Sequence, residues 1–179
     1  MSAFNEKGTE KLIWGNTEVN AVFFHRTDEP NGFFSTWYPA PFELDAISYA
    51  NQEQFIKYQK SLIHGDMASA RAILAADSPA KQKELGRATF RYNSHVWNGM
   101  RQTVALRGLM AQYTQNTDLK EKLLGTGDAW LVACSERNRV WTCGVSLQDE
   151  ARLDASLWQG ENILGFSLME VRRLLRERE

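Results

Sequence analysis

The chain changes from strand-like to helical sequence at residues 51–63, which read NQEQFIKYQKSLI. Asn51 is a residue type that commonly caps a helix N-terminus, and apolar side chains follow it at helical spacing. This pattern predicts a helix from Gln52 to Ile63. A helical wheel places two sets of side chains on opposite sides: Phe55, Tyr58, Gln59, Leu62 and Ile63 on one, and Glu53, Lys57 and Lys60 on the other.

The residues upstream of this helix favour strands and loops. Residues 21–25 form a short apolar run, and residues 30–32, PNG, are a turn signal behind it. Residues 33–38 are an aromatic stretch ahead of two prolines, which indicates a loop or an edge strand. The alternation of apolar and polar side chains over residues 42–45 predicts another short strand.

The residues downstream are mostly helical. Helices are predicted at Met67–Ala76, Pro79–Gly86 and His95–Gln115, from Thr117 or Asp118 to about Gly125, and at Asn162–Arg176. Residues 129–134 and 139–143 read as two strands with a hairpin-like connection. We therefore expect an α+β fold: a mainly α-helical single domain with a small β-sheet.

Composition limits the class of protein. The 179 residues carry 21 Lys and Arg against 22 Asp and Glu, and this balance argues against a general nucleic-acid coat protein. Cys134 and Cys143 form neither a disulfide framework nor a CxxC pair, which fits free thiols in a reducing compartment. The sequence has no apolar signal segment and no run of eighteen apolar residues. We expect a cytoplasmic protein without membrane contact, either a monomer or a weak oligomer.

The polar side of the first helix allows two interpretations. Glu53, Lys57 and Lys60 can form solvated ion pairs at helical spacing, as charged helix faces usually do. If a cleft covers this side, Glu53 can act as a general acid or base, or stabilise a developing cation. In that case Lys60 is an amine able to attack a sugar carbonyl. The pattern of residues alone leaves both interpretations open.

Six tryptophans are the unusual feature of the composition. The sequence context favours Trp14 and Trp130 as core residues. Trp97 and Trp141 have polar neighbours, and these contexts suit either rings that stack on a base or ordinary core packing.

An ordered series of motifs resembles the NADAR family, whose members are also called YbiA-like proteins. Residues 34–37, FSTW, are similar to the family's FSNF loop, and Gln52–Lys60 is similar to its (S/T)xEHxxxxxK helix. Residues 79–87 correspond to its P..AK..GR segment. Residues 158–172 meet its W.G.N.LG..LM.VR pattern, the most specific match. The chain departs from the usual residues at five positions: Thr36, Gln54, Ala133, Asn138 and Thr142.

The resemblance implies a YbiA-like domain at residues 20–179 behind an N-terminal extension at residues 1–19. It also implies an N-glycosidase, and a riboflavin-biosynthesis intermediate such as 5-amino-6-ribosylaminouracil 5′-phosphate is the expected substrate. One alternative is an ADP-ribosyl glycohydrolase that removes ADP-ribose from guanine in nucleic acid. Another is a non-catalytic module that binds ADP-ribose or an NAD derivative. The near-neutral charge favours the small ribosyl phosphate over a polynucleotide.

The resemblance also assigns roles to individual residues. Glu53 and Lys60 are the expected catalytic residues, and Trp37 and Trp158 are expected to brace the walls of the pocket. The expected substrate-binding residues are Phe34, Ser35, Gln59, Arg87, Trp97, Arg101, Trp141 and Asn162. Among them, the resemblance implies that Arg87 and Arg101 contact the phosphate and that Trp97 and Trp141 stack on the base. No metal or organic cofactor is expected, because water can serve as the second substrate.

Overall fold

The change from strands to helices at Asn51 is present in the structure, a computed structural model that describes residues 8–178. The strands are β1 (Glu10–Trp14), β2 (Thr17–Phe24), β3 (Phe42–Leu44), β4 (Ile47–Tyr49) and β5 (Trp130–Ala133). The helices are α1 (Gln52–Ile63), α2 (Met67–Ala75), α3 (Pro79–Arg87), α4 (Ser94–Gln115), α5 (Thr117–Gly125) and α6 (Ile163–Arg176). The expected α+β class, weighted toward helix, is confirmed.

The chain forms two units, each with its own interior. The helical unit comprises Thr36–Asn116, and the sheet unit comprises the described residues before and after that range. Residues 10–19 supply β1 and the start of β2. The expected boundary between an extension and the domain, at residues 19 and 20, stays a prediction.

The helical unit is built around α1, which packs against α2, α3 and α4. Strands β3 and β4 precede α1 and form a tight hairpin, whose turn residues Asp45 and Ala46 have φ values of 54° and 59°. The ring of Phe55 on α1 lies 5.1 Å from that of Tyr49. A Cβ at Gly108 on α4 would overlap the Phe55 ring, so this glycine allows the close approach of the two helices.

The sheet unit contains a three-stranded sheet in the order β1-β2-β5. Strand β2 is antiparallel to β1 and parallel to β5, and α6 packs against β5. One buried apolar cluster lies against this sheet and comprises Leu12, Ala21, Phe23, Val132, Cys134, Cys143 and Val145. Both cysteines are free thiols, as expected, with their sulfurs 3.9 Å apart.

The strand predicted at residues 139–143 is wrong: this segment consists of turns. Its carbonyl groups accept hydrogen bonds from the backbone N–H groups of residues 161–164, including Leu164 N to Trp141 O at 3.1 Å. The first N–H groups of a helix have no partner within it, so the start of α6 draws these carbonyls away from strand pairing.

Trp14 is not the core residue that the sequence predicted, because 41% of it is exposed. Its ring lies 4.5 Å from that of Trp130 and 5.8 Å from that of Trp158, and it also approaches Phe166. The four rings therefore form an aromatic cluster that reaches the surface of the sheet unit. Within residues 8–178, the helices are too short or too polar to cross a bilayer.

Candidate active site

The first turn of α1 carries Glu53 into the interior of the helical unit. The Glu53 N–H donates to the Thr36 carbonyl at 2.9 Å, and the Thr36 hydroxyl donates to Glu53 Oε2 at 3.1 Å. Lys57 Nζ lies 3.5 Å from the other oxygen, Glu53 Oε1. The carboxylate is therefore held at both oxygens by residues that precede and follow it in the chain.

The Glu53–Lys57 pair is not a solvated surface pair. The two side chains are only 9% and 15% exposed, whereas ion pairs on an open helix face keep most of their contact with water. The interpretation of this helix side as a solvated charged face is therefore wrong.

Lys60 follows Glu53 by two helical turns on the same side of α1, as the spacing predicted. Its Nζ donates to the Gly86 carbonyl at 2.8 Å and lies 4.2 Å from the centre of the Tyr92 ring. Burial, together with the neighbouring positive charge of Lys57, lowers the pKa of Lys60 from 10.5 to about 8, and burial is the larger cause. At pH 7 about a tenth of this amine is then unprotonated.

Gly86, near the end of α3, lets α3 lie directly against the lysine side of α1. A Cβ at this position would stand 2.5 Å from Lys57 Cδ and 2.8 Å from Lys57 Cβ. The Gly86 carbonyl accepts from the Thr89 hydroxyl at 2.9 Å as well as from Lys60. The helix interface therefore positions two of the three charged side chains of α1.

Three residues that the predicted site omitted belong to this charged group. Thr36 and Lys57 contact Glu53 directly. Lys83 is half-buried on α3, and the charges of Glu53, Arg87 and Lys57 all affect its pKa, which burial lowers. The spacing of Lys83 and Arg87, four residues apart on one helix, was the available signal for Lys83.

Gln54 stands where the family usually has His, and it serves the fold rather than the site. Its side-chain NH₂ donates to the carbonyls of Ile73 and Leu74, both at 3.1 Å. Its Oε1 accepts from the Ala50 N–H at 2.7 Å. The amide thus fastens the start of α1 to the end of α2.

The other predicted residues of the helical unit have mixed placements. Arg87 is exposed at the end of α3, and Arg101 donates to Asn98 Oδ1 at 3.0 Å. Gln59 lies beside the side chain of Tyr49. Trp97 is only 6% exposed, so little of its ring is available for stacking on a ligand.

The sheet unit holds the remaining predicted residues. Phe34 is buried against Phe24 and Phe33, and Ser35 N donates to Gly32 O at 3.0 Å. Trp141 is partly exposed on a turn, where its backbone N–H donates to Asn138 Oδ1 at 3.2 Å. The substrate contacts expected of this group stay predictions.

Asn162 is fully buried, and both the oxygen and the nitrogen of its side-chain amide form hydrogen bonds with β5. The Ala133 N–H donates to Asn162 Oδ1 at 2.9 Å, and Asn162 Nδ2 donates to Leu131 O at 3.0 Å. Its φ of 49° places it in the left-handed region, which Asn tolerates better than most residues. These contacts support a structural role at the junction of β5 and α6.

Comparisons with known proteins agree with the motif series. The NADAR domain family matches residues 22–176. The N-glycosidase R617 of Acanthamoeba polyphaga mimivirus is 30% identical over 159 residues, which cover 84% of this chain and 94% of that protein. The N-glycosidase YbiA of Escherichia coli is 27% identical over 86% of this chain and 88% of its own length.

Two further comparisons concern function and fold. The riboflavin biosynthesis protein VVA0006 of Vibrio vulnificus is 28% identical over 92% of this chain, which spans 41% of that longer protein. The NMR structure of Escherichia coli YbiA superimposes with a TM-score of 0.73 at 25% identity, over 93% of this chain and 89% of that one. Since a family match spans most of the chain and a solved relative shares its fold, this protein belongs to the NADAR domain family.

Proposed function

We propose that this protein is an N-glycosidase that hydrolyses the C1′–N bond of a ribosylated base and releases the free base. The N-glycosidases among its relatives support the class of reaction. The observation that carries the proposal is the joint placement of a buried carboxylate, Glu53, and an amine of lowered pKa, Lys60, on one side of α1.

The reaction needs a negative group near the sugar. Breaking the C1′–N bond builds positive charge at C1′ and O4′, which a fixed carboxylate stabilises more in the transition state than in the ground state. Glu53 supplies this carboxylate. Because Thr36 and Lys57 hold its oxygens, it needs little reorganisation when the charge develops.

Lys60 acts as an amine nucleophile. Lys60 Nζ attacks C1′ as the C1′–N bond breaks, and the base leaves with the electrons of that bond. One amine proton goes to the base and the other to O4′ as the ribose ring opens, which leaves C1′ joined to Lys60 as an imine. Water then hydrolyses the imine to the free sugar aldehyde and the free amine. The pKa of about 8 leaves a usable fraction of free amine at neutral pH.

The proposed substrate is 5-amino-6-ribosylaminouracil 5′-phosphate, with ribose 5-phosphate as the sugar product. The relative named as a riboflavin biosynthesis protein supports this choice. The formal net charge of −1 supports it further, since a polynucleotide substrate would favour a basic protein.

The test is release of base from two substrates incubated separately with the purified protein. One is 5-amino-6-ribosylaminouracil 5′-phosphate, and the other is DNA carrying ADP-ribosylated guanine. We expect release from the first, a loss of at least 100-fold in Glu53→Gln and Lys60→Met, and no loss in Lys81→Gln. Lys81 is a matched control because it is an exposed lysine that pairs with Glu84.

Other outcomes would change the proposal in defined ways. Release from the DNA alone would replace the substrate by ADP-ribosylated guanine. No release from either substrate, with ADP-ribose still bound, would indicate a binding module instead of an enzyme. Borohydride added during turnover should attach the sugar to Lys60, and absence of this adduct would remove the covalent role of the amine.

A further inference from the structure

The family resemblance implies Arg87 as a phosphate contact, and we propose that Lys57 and Lys83 extend it to a phosphate subsite that binds the phosphoryl group on C5′ of the ribosyl substrate. This inference rests on the proposed function and deepens it, because it assigns the anionic end of the substrate to particular residues. A 5′-monophosphate and the diphosphate of ADP-ribose share this chemistry, so the experiment includes both.

The geometry brings the three cations together from two helices. Lys83 and Arg87 are four residues apart on α3 and therefore point to one side of it. Lys57 crosses to α3 from α1, and its side-chain stem lies on Gly86, next to Arg87. The cations thus border one short stretch of the α1–α3 interface.

The charges in this cluster do not balance. Glu53 is the carboxylate that acts on Lys83, and it already pairs with Lys57 and accepts from Thr36. Glu84, the neighbour of Lys83 in sequence, pairs instead with Lys81 at 2.9 Å. Among the described residues, Glu53 is therefore the one carboxylate recorded against Lys57 and Lys83, Arg87 adds a third positive charge beside Lys83, and an anion would offset the excess positive charge.

The lowered pKa of Lys83 agrees with this excess of positive charge. Burial is the main cause of its lowered pKa, and the repulsion of Arg87 and Lys57 acts in the same direction against the attraction of Glu53. Its Nζ also lies 5.7 Å from the centre of the Trp37 ring. A half-buried ammonium beside like charges is costly alone and favourable once a phosphate dianion lies against it.

Arg87 completes the subsite from the solvent side. It is exposed at the last position of α3, and its planar guanidinium can hold two phosphate oxygens at once. A phosphate can reach this guanidinium first and then contact the partly buried ammonium groups.

Phosphate binding should also change Lys60. The positive charge of Lys57 lowers the pKa of Lys60, and a phosphate beside Lys57 would offset that repulsion. Phosphate bound at the subsite should therefore raise the pKa of Lys60 above its value of about 8.

The test measures binding without turnover. Ribose, ribose 5-phosphate and ADP-ribose are titrated into the parent protein, Lys83→Gln, Arg87→Gln and the control Lys81→Gln. We expect the parent to bind ribose 5-phosphate at least tenfold more tightly than ribose. Lys83→Gln and Arg87→Gln should each lose most of this difference, whereas Lys81→Gln should keep it and Lys83→Arg should restore it.

The two phosphate sources give different results. Loss of ribose 5-phosphate binding in Lys83→Gln indicates a monophosphate, and loss of ADP-ribose binding alone indicates the diphosphate. Unchanged binding of both ligands in folded Lys83→Gln and Arg87→Gln would overturn the subsite. In ribose, ribose 5-phosphate and the terminal ribose of ADP-ribose, C1 carries a hydroxyl group where the substrate carries the base, so this result is independent of whether the protein hydrolyses either substrate.

Discussion

Lys60 Nζ donates a hydrogen bond to the Gly86 carbonyl at 2.8 Å, which joins the last turn of α1 to the end of α3. The bond holds a long, flexible side chain in one position and keeps its amine half-buried beside Lys57. A carbonyl partner suits a cation, yet the pKa of Lys60 still falls to about 8, because burial and the charge of Lys57 act against the ammonium. The lowered pKa of Lys60 and its dependence on Lys57 should both be visible in the pH dependence of kcat.

The first prediction concerns pH. If unprotonated Lys60 is the nucleophile, kcat should rise with pH through about 8 and level off above it, since the free amine increases until the pKa is passed. The measurement is kcat for base release between pH 6 and 10. A profile that is flat from pH 7 to 9, with chemistry shown to be rate-limiting, would contradict the nucleophilic role.

The second prediction concerns Lys57. Its charge lowers the pKa of Lys60, so Lys57→Met should move the inflection of the pH profile to a higher value. The same change frees Glu53 Oε1 and should lower the maximal kcat. Lys81→Met is a control that should leave the inflection in place, because Lys81 is an exposed lysine that pairs with Glu84. An unmoved inflection in Lys57→Met would show that the two amines are not coupled.

The third prediction concerns Thr36, the residue that stands where the family usually has Asn. Thr36→Val keeps the shape and the backbone contact to Glu53 but removes the hydroxyl that donates to Oε2. A hydrogen bond to a charged group contributes about 1.5–3 kcal/mol, so kcat should fall by about tenfold or more while the protein stays folded. Thr36→Asn supplies another donor and should retain more activity than Thr36→Val. Equal activity of the parent and Thr36→Val would remove Thr36 from the positioning of Glu53.

The local sequence was sufficient to predict α1 and the spacing of its charged residues. Asn51 caps the helix as expected, and the separation of seven residues places Glu53 and Lys60 on one side. Their burial could not be predicted in this way, because it depends on α3, which begins about twenty residues after Lys60. The participation of Lys83 depends on the same packing.

Residues 139–143 illustrate a second limit. Their β-branched and aromatic side chains, Val140, Trp141 and Thr142, are typical of a strand, and only the position of α6 shows why no strand forms. The partners of the carbonyl groups lie about twenty residues away, at the start of a helix. Periodicity describes which side of a segment is buried, whereas the hydrogen-bond partners are set by tertiary structure.

The fourth prediction concerns Gly86. A Cβ at this position would overlap the stem of Lys57 near its backbone, so Gly86→Ala must shift the side chain or separate α1 from α3. Such overpacking typically costs about 1–3 kcal/mol, which corresponds to a decrease in Tm of several degrees for a chain of this size. Activity should fall as well, because Lys57 and Lys60 both depend on this contact. Gly99→Ala is the control, since no atom lies within 4 Å of a Cβ built there.

The fifth prediction separates a structural role of Asn162 from substrate binding. Asn162→Ala removes both amide hydrogen bonds to β5 and leaves the Ala133 N–H and the Leu131 carbonyl without these partners. Buried groups that lose their partners cost about 1–3 kcal/mol each, and alanine also tolerates a φ of 49° less well than asparagine. We therefore expect a clear loss in the free energy of unfolding, measured by denaturant titration. The KM of the folded fraction at low temperature should stay unchanged; a raised KM with unaltered stability would instead support the substrate contact predicted from the sequence.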